Sequence, residues 1–253
     1  MNGGQPSSYL RIIRFDKVGS TNDYAFALGR AGNKEITVVL AKCQTKGRGR
    51  LGRSWVSPNS KGIYVSFLFR PKRTLQEIFL LGIVVALATV KSLKGILPLT
   101  IKWPNDIVIG NKKIGGVLVE TESFNKIPEF VIVGLGINVN SEFIDLPEKA
   151  TSIFLQTGNK YPLNDLFKTI LKEVIAFYDR FKLNDYKNII DEVKNYLDTL
   201  HRRVLVYTHK DKYEGIAVDI DSYGALLVRD YLGDIVRIDL GEVKNLVYDN
   251  NLS

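Results

Sequence analysis

The sequence predicts an α+β fold with two parts: a large domain over residues 1–199 and a small β-barrel over residues 200–253. Three observations lead there. Short β-branched runs such as "ITVVLAK" and "GIYVSFLF" read as buried strands. Three longer segments carry helical patterning among those strands. After His201 the texture changes to five short strands at close, regular spacing.

The elements follow in chain order. "YLRIIRF" is a strand, and "GSTNDYAFALGRAGN" offers Ser20 or Thr21 as a helix cap. Asp23 falls in the first turn, where a carboxylate suits the helix dipole, and Gly29 or Gly32 ends the helix. "ITVVLAK" and "GIYVSFLF" flank a glycine-arginine loop. Thr74 with Glu77 forms a capping box for an apolar helix reaching about Leu93. "LTIKW", "IVI" and "KIGGVLVETE" are strands, the last two joined by a Gly110–Asn111 turn, and "EFVIVGLGINVN" is another. "LNDLFKTILKEVIAFYDRF" and "DYKNIIDEVKNYLDTL" are amphipathic helices; in the first, Leu166, Ile170, Val174 and Phe177 form one apolar face. "RRVLVYTH", "YEGIAVDI", "ALLVRD", "DIVRIDL" and "VKNLVY" then form a meander, with turns at Asp221–Gly224 and Leu232–Asp234.

Composition narrows the class. With 45% hydrophobic and 25% charged residues, the chain is an ordinary globular one. The most apolar run, Ile78 to Val90, is shorter than the ~20 residues that span a bilayer, so it reads as a core helix and no membrane partner is expected. One cysteine, Cys43, excludes an internal disulfide and a cysteine-rich zinc site. "MNGGQPSS" has no secretory character, and a cytoplasmic location fits. From Leu200 to Ser253 there are 7 basic and 9 acidic residues, leaving 28 against 18 in the remainder. The basic excess therefore belongs to the first domain and favours an anionic partner: phosphates, nucleic acid or an acidic protein.

The loop "TKGRGRLGRSW", Thr45 to Trp55, satisfies G-x-G-x-x-G literally. A dinucleotide site needs a helix after the glycines, whereas this loop runs through Pro58 and Gly62 into a strand. No kinase H-R-D or D-F-G follows, and no P-loop motif occurs. A solvated basic loop, or one touching nucleic acid, stays open on these residues alone. Glycines also let backbone N–H groups approach an anion, arginines at 48, 50 and 53 supply planar forks, and Trp55 offers a stacking face.

A second motif joins Lys102-Trp103-Pro104-Asn105-Asp106 to Lys113-Ile114-Gly115-Gly116 through the hairpin. With "GSTN", "GRGRLGRSW" and "VGLGINVN", in this order, the chain closely resembles the biotin protein ligases from Ser20 to Asn140. The resemblance implies a class II aminoacyl-tRNA synthetase-like catalytic domain with a mixed sheet and an SH3-like C-terminal barrel. It implies a two-step acyl transfer: biotin and Mg2+·ATP give biotinyl-5′-AMP and pyrophosphate. A lysine on a biotin carboxyl carrier protein domain of a biotin-dependent carboxylase then takes the biotinyl group.

By position, the resemblance assigns Ser20, Thr21, Asn22 and Gln44 to the polar head of biotin, with Gly47, Gly115 and Gly116 close to it. Arg48, Gly49 and Arg50 line biotin and the phosphates. Lys113 meets the biotin carboxylate and then the acyl-phosphate. Arg53, Trp55, Asn105 and Asn138 lie around the adenylate. Asp106 ends the K-W-P-N-D turn beside the lysine hairpin, which reads as a base or orienter for the incoming lysine, or as a turn aspartate that caps backbone N–H groups. It assigns no metal ligands, magnesium being bound through the ATP phosphates. The glycine-arginine loop becomes a lid over a water-labile mixed anhydride.

Each residue has a plainer reading. Ser20 and Thr21 serve equally as caps, Lys113 as a solvated hairpin lysine like Lys112, and Gly115–Gly116 as a bulge. A lipoate or other acid ligase of the same superfamily is the nearest alternative, and a nucleic-acid-binding protein the alternative of another class. Larger relatives carry an N-terminal winged helix-turn-helix, and "MNGGQPSS" leaves no room for one, so no DNA binding is expected. Edge strands allow a homodimer.

Overall fold

A computed structural model describes residues 9–122 and 127–245, with the side chains of Lys244 and Asn245 excepted. The opening "MNGGQPSS" and Leu246–Tyr248 of the last expected strand lie outside the described residues. The strands are β1 (Arg11–Phe15), β2 (Thr37–Ala41), β3 (Gly62–Phe69), β4 (Thr100–Lys102), β5 (Asp106–Ile109), β6 (Lys112–Glu120), β7 (Val131–Asn138), β8 (Arg203–Tyr207), β9 (Lys212–Ile220), β10 (Leu226–Arg229), β11 (Ile235–Ile238) and β12 (Glu242–Asn245). The α-helices are α1 (Thr21–Arg30), α2 (Leu75–Ser92), α3 (Ile153–Thr157), α4 (Leu163–Lys182) and α5 (Tyr186–Lys194). The chain folds as two compact units: Met1–Ile78 with Ile114–Phe167, and Phe79–Lys113 with Lys168–Ser253.

In the first unit, β1 and β2 run parallel, while β2–β3, β3–β7 and β7–β6 pair antiparallel, so the sheet is mixed. The register puts Thr37, Val39 and Ala41 on one face with Leu68, Ser66 and Tyr64. Across β7 and β6 that face continues through Ile132, Gly134 and Gly136, then Glu120, Leu118 and Gly116. Helix α1 covers its apolar end: Ala25 packs with Val39, Leu68, Phe130 and Ile132. Burying each large aliphatic side chain there contributes roughly 1.5–3 kcal/mol. Gly29 lets the helix close down, since a Cβ there would stand 2.5 Å from the Phe130 ring.

Ser20 is the α1 cap, its Oγ accepting from the Asp23 N–H at 3.4 Å. The capping box before α2 forms as expected: Thr74 N–H and Oγ1 donate to Glu77 Oε2 at 2.9 and 2.7 Å. Helix α2 is long and apolar enough to cross a membrane by composition, but it is buried inside the fold, from Ile78 through Leu81 to Val90, apart from the exposed Phe79. It is a core helix. The α4 face reads as expected, with Leu166, Ile170, Val174 and Phe177 buried.

In the second unit, β4 and β5 form a hairpin around Trp103, which is buried; its Nε1 donates to the Gly224 carbonyl at 2.8 Å. The helix expected to reach Leu200 stops at Lys194. Beyond it the backbone turns to pair with β4: Ile101 N–H donates to the Tyr196 carbonyl at 2.7 Å, and Asp198 N–H to the Ile101 carbonyl at 2.9 Å. Those sheet-like bonds replace the helical ones. The five terminal strands pair antiparallel in the order β11-β10-β9-β8-β12, with a register shift between Leu227 and Val228. Gly224 (φ 80°) and Gly233 (φ 94°) make the left-handed turns between them. At Gly215 a Cβ would stand 2.1 Å from the Arg229 carbonyl oxygen, so β9 and β10 approach only because that residue is glycine. Val204, Val206, Ala217, Leu226, Val228 and Ile238 fill the interior of this small barrel.

Candidate active site

The open end of the first sheet's covered face is floored by glycines. Gly116 lies directly across from Gly136, with Gly134 two residues along. A Cβ at Gly134 would stand 2.3 Å from Asn22 Oδ1, and one at Gly136 would stand 2.5 Å from the Trp55 ring. The missing side chains are therefore replaced by Asn22 from α1 and Trp55 from the glycine-arginine loop. Gly115 pairs with Ile137 and belongs to the other face of β6, so of the two adjacent glycines only Gly116 floors this furrow.

A chain of hydrogen bonds lines the furrow. Thr21 donates to Gln44 Oε1 twice, from its N–H at 2.8 Å and its hydroxyl at 3.0 Å. Gln44 Nε2 donates to Ser57 Oγ at 3.0 Å, and Ser57 Oγ to the Trp55 carbonyl at 3.3 Å. In the other direction Ser66 Oγ lies 2.7 Å from Thr21 Oγ1 and also reaches Asn22 Oδ1. Asn22 Nδ2 donates to Glu120 Oε2 at 2.6 Å. Arg48 Nη2 donates to both Glu120 oxygens at 3.1 and 3.0 Å, and Arg48 Nη1 to Asp23. Partial burial works against the Arg48 charge. The hydrogen bonds and charges of Glu120 and Asp23 outweigh it and lift the guanidinium above its ordinary value. Arg48 is thus a fixed cation.

The loop is a tight hairpin. Trp55 N–H donates to the Gly47 carbonyl at 2.9 Å, Gly49 N–H to the Arg53 carbonyl at 2.7 Å, and Arg48 bridges to Ser54. A Cβ on Gly47 would meet the Trp55 carbonyl at 2.5 Å. At the tip, Arg50 to Gly52, Leu51 (φ 55°) and Gly52 (φ 72°) are left-handed, and Leu51 is exposed. No helix follows, as the dinucleotide reading would have required.

At the end of β7, Asn138 is buried and donates through Nδ2 to the Thr151 carbonyl at 3.0 Å. Its Oδ1 is also buried and accepts no hydrogen bond from the described residues. Such an acceptor calls for a donor that the described residues do not supply.

In the second unit, the turn Trp103–Pro104–Asn105 delivers Asp106 to the first position of β5, opposite Lys102. Lys113 Nζ lies 2.6 Å from Asp106 Oδ1, and both side chains are about one-third exposed (37% and 32%). Asn105 is half-buried in that turn. His201 and His209 are exposed. Among the described residues no three His, Cys, Asp or Glu side chains gather into a metal cage.

Ser20, Thr21, Asn22, Gln44, Gly47, Arg48, Trp55 and Gly116 thus meet around one furrow. Ser20 acts there as a helix cap, whereas Thr21 is turned to Gln44. Sequence reasoning missed Ser57, Ser66, Glu120, Gly134 and Gly136. One signal was present for Glu120: it lies four residues beyond Gly116, on the same face by the period of two.

Residues 15–138 match the Biotin/lipoate A/B protein ligase family, and residues 199–244 match the Biotin protein ligase C terminal domain. The chain is 32% identical to a bifunctional ligase/repressor BirA of Bacillus spizizenii over 228 residues, covering 88% of this chain and 70% of that protein. It is 29% identical to a biotin--[acetyl-CoA-carboxylase] ligase of Mycobacterium tuberculosis over 252 residues, covering 96% and 92%. Among solved structures it resembles a biotin protein ligase from Aquifex aeolicus in complex with biotin and ATP, with a TM-score of 0.77, 31% identity, and coverage of 92% of this chain and 97% of that one.

Proposed function

We propose the roles below on one premise: this chain belongs to the biotin protein ligase family. It is an ATP-dependent ligase that attaches biotin to a lysine of a carboxylase's biotin carboxyl carrier domain through biotinyl-5′-AMP. The observation that carries the residue assignments is the hydrogen-bonded cluster of Thr21, Asn22 and Gln44 over the sheet's glycines, with Trp55 of the arginine loop packed against Gly136.

The first step brings two anions together. A biotin carboxylate oxygen attacks the α-phosphorus of ATP; the new C–O–P link forms as the bond to the β-phosphate breaks and pyrophosphate leaves with the electron pair. Fixed cations and backbone N–H groups offset that repulsion. Arg48, held by Glu120 and Asp23, is one such cation, joined by Arg50, with Gly49 letting the backbone approach. Lys113, oriented by Asp106, meets the biotin carboxylate. Magnesium enters with ATP, chelated by its phosphates. Asn138 Oδ1 suits the exocyclic amine of adenine, with Trp55, Arg53 and Asn105 around the adenylate. In the second step the carrier lysine's nitrogen attacks the acyl carbon, the C–N bond forms, and AMP departs. Asp106 orients that lysine or accepts its proton.

The proposal also takes the catalytic part as residues 1–199 and the barrel as 200–253. It further takes the protein to be cytoplasmic, to use no DNA, and to pair as a homodimer along an open sheet edge. Pyrophosphate release from ATP, measured with biotin, lipoate and octanoate in turn, tests the substrate. Release with biotin alone is expected; equal release with lipoate favours the superfamily alternative.

A further inference from the structure

We propose that Glu120 is a positioning residue for biotin's ureido ring, acting by fixing which way the furrow's hydrogen bonds run. This rests on the biotin reading above. A carboxylate accepts hydrogen bonds and cannot donate them. Asn22 must therefore present Nδ2 to Glu120, as it does at 2.6 Å, and Oδ1 to Ser66. The Thr21 hydroxyl proton goes to Gln44 Oε1, so Thr21 Oγ1 accepts from Ser66 Oγ at 2.7 Å, and Ser66 divides its single proton between Thr21 and the Asn22 Oδ1 that Glu120 turns toward it. At the far end the chain is pinned by a group that only donates, the Thr21 N–H, which holds Gln44 Oε1 and so turns Gln44 Nε2 to Ser57.

The wall thus has one polarity. Thr21's hydroxyl proton is committed to Gln44 Oε1, so what Thr21 offers a ligand is a lone pair. An accepting wall suits the ring N–H groups of a cyclic urea. Asn22 and Ser66 are both buried, and both ends of the Asn22 amide are engaged within the protein. Asn22 supports the wall from behind. The same carboxylate holds Arg48, so one residue on β6 ties the urea-binding wall to the loop cation.

The test uses the full chain and biotin itself, by calorimetry, with circular dichroism and thermal melts for each variant. Glu120→Gln keeps size but donates as well as accepts, so the Asn22 amide loses its single orientation. Biotin should bind about ten- to a hundredfold more weakly, as loss of a charge-assisted bond predicts. Asn22→Asp sets two accepting groups against each other and should also lose binding. The double variant Asn22→Asp with Glu120→Gln restores complementarity: the amide introduced on β6 donates to the new carboxylate on α1, whose other oxygen still accepts from Ser66. Its affinity should exceed that of both single variants by about tenfold, short of the parent because Arg48 has lost its carboxylate on β6, and that coupling is one no pair of independent structural defects would give. Parent-like binding by Glu120→Gln, or a double variant no better than the singles, overturns the proposal. If the parent itself binds no biotin, the reading on which the proposal rests falls, and the proposal with it.

Discussion

Asp106 Oδ1 lies 2.6 Å from Lys113 Nζ. The three-residue turn after β4 and the Gly110 turn (φ 53°) after β5 bring these two side chains together, seven positions apart in the chain. Both are about one-third exposed, and a pair in that setting adds only ~0–1 kcal/mol to stability. Its value is directional: the carboxylate aims the ammonium.

Lys113→Ala should therefore leave the melting temperature nearly unchanged and cripple adenylation. One charge-assisted donor on a developing charge is worth ~3–4 kcal/mol, or roughly a few hundredfold in rate. Single-turnover formation of biotinyl-5′-AMP reads this out. A loss under about tenfold, on the same scale, excludes the assigned role.

Asp106→Asn keeps shape while removing charge. An incoming lysine, with a reference pKa of ~10.4, must shed a proton before it attacks. Transfer from preformed biotinyl-5′-AMP to the apo-carrier should slow and partly recover at high pH, with biotin affinity nearly unchanged. Because Asp106 also aims Lys113, adenylation should slow too, but less. Normal transfer with collapsed biotin affinity would make Asp106 a turn residue alone.

The arginine loop should gain protection on binding. Arg48 is anchored by Glu120 and Asp23, while the left-handed Leu51 and Gly52 at the exposed tip make a fixed conformation costly there until a ligand holds it. Trypsin cutting at Arg48 and Arg50, with and without biotin plus ATP, measures this. Equal cutting under both conditions counts against a lid.

Gly136→Ala is a steric probe of the furrow. The added methyl would stand 2.5 Å from the Trp55 ring, which must move. Overpacking of this kind costs roughly 1–3 kcal/mol, and here it falls beside Trp55 at the proposed ligand wall rather than in the apolar core. Biotin affinity should drop by about tenfold or more, with a smaller change in melting temperature. Unchanged affinity would place the ligand elsewhere.

Much of this was legible in the sequence because it is local. Short β-branched runs pointed to the strands, the Thr74–Glu77 box to the start of α2, and glycines at 110, 224 and 233 to the turns. Helix α3 was missed although Ser152 caps it and Gly158 (φ 74°) ends it; five residues are too few for a period to show. The end of α5 was misjudged because β4, far away in sequence, captures its backbone. Among the residues that share the hydrogen-bonded cluster of the first unit, Thr21, Gln44 and Arg48 follow from the motif resemblance. Glu120 does not, since its bonds to Asn22 and Arg48 span 98 and 72 residues and depend on sheet register. The Lys113–Asp106 pair stood in plain view, but the sequence assigned its members to separate steps.

The central claim is that this ligase makes biotinyl-5′-AMP and then transfers its biotinyl group to a carrier lysine. The most direct measurement follows ATP labelled at the α-phosphorus, mixed with enzyme and biotin before the carrier is added. The label should first appear in enzyme-bound biotinyl-5′-AMP, only when biotin is present, and pass to free AMP as the carrier lysine becomes biotinylated in equal amount. Label appearing in ADP, or carrier modification without a biotin-dependent adenylate, would contradict the account.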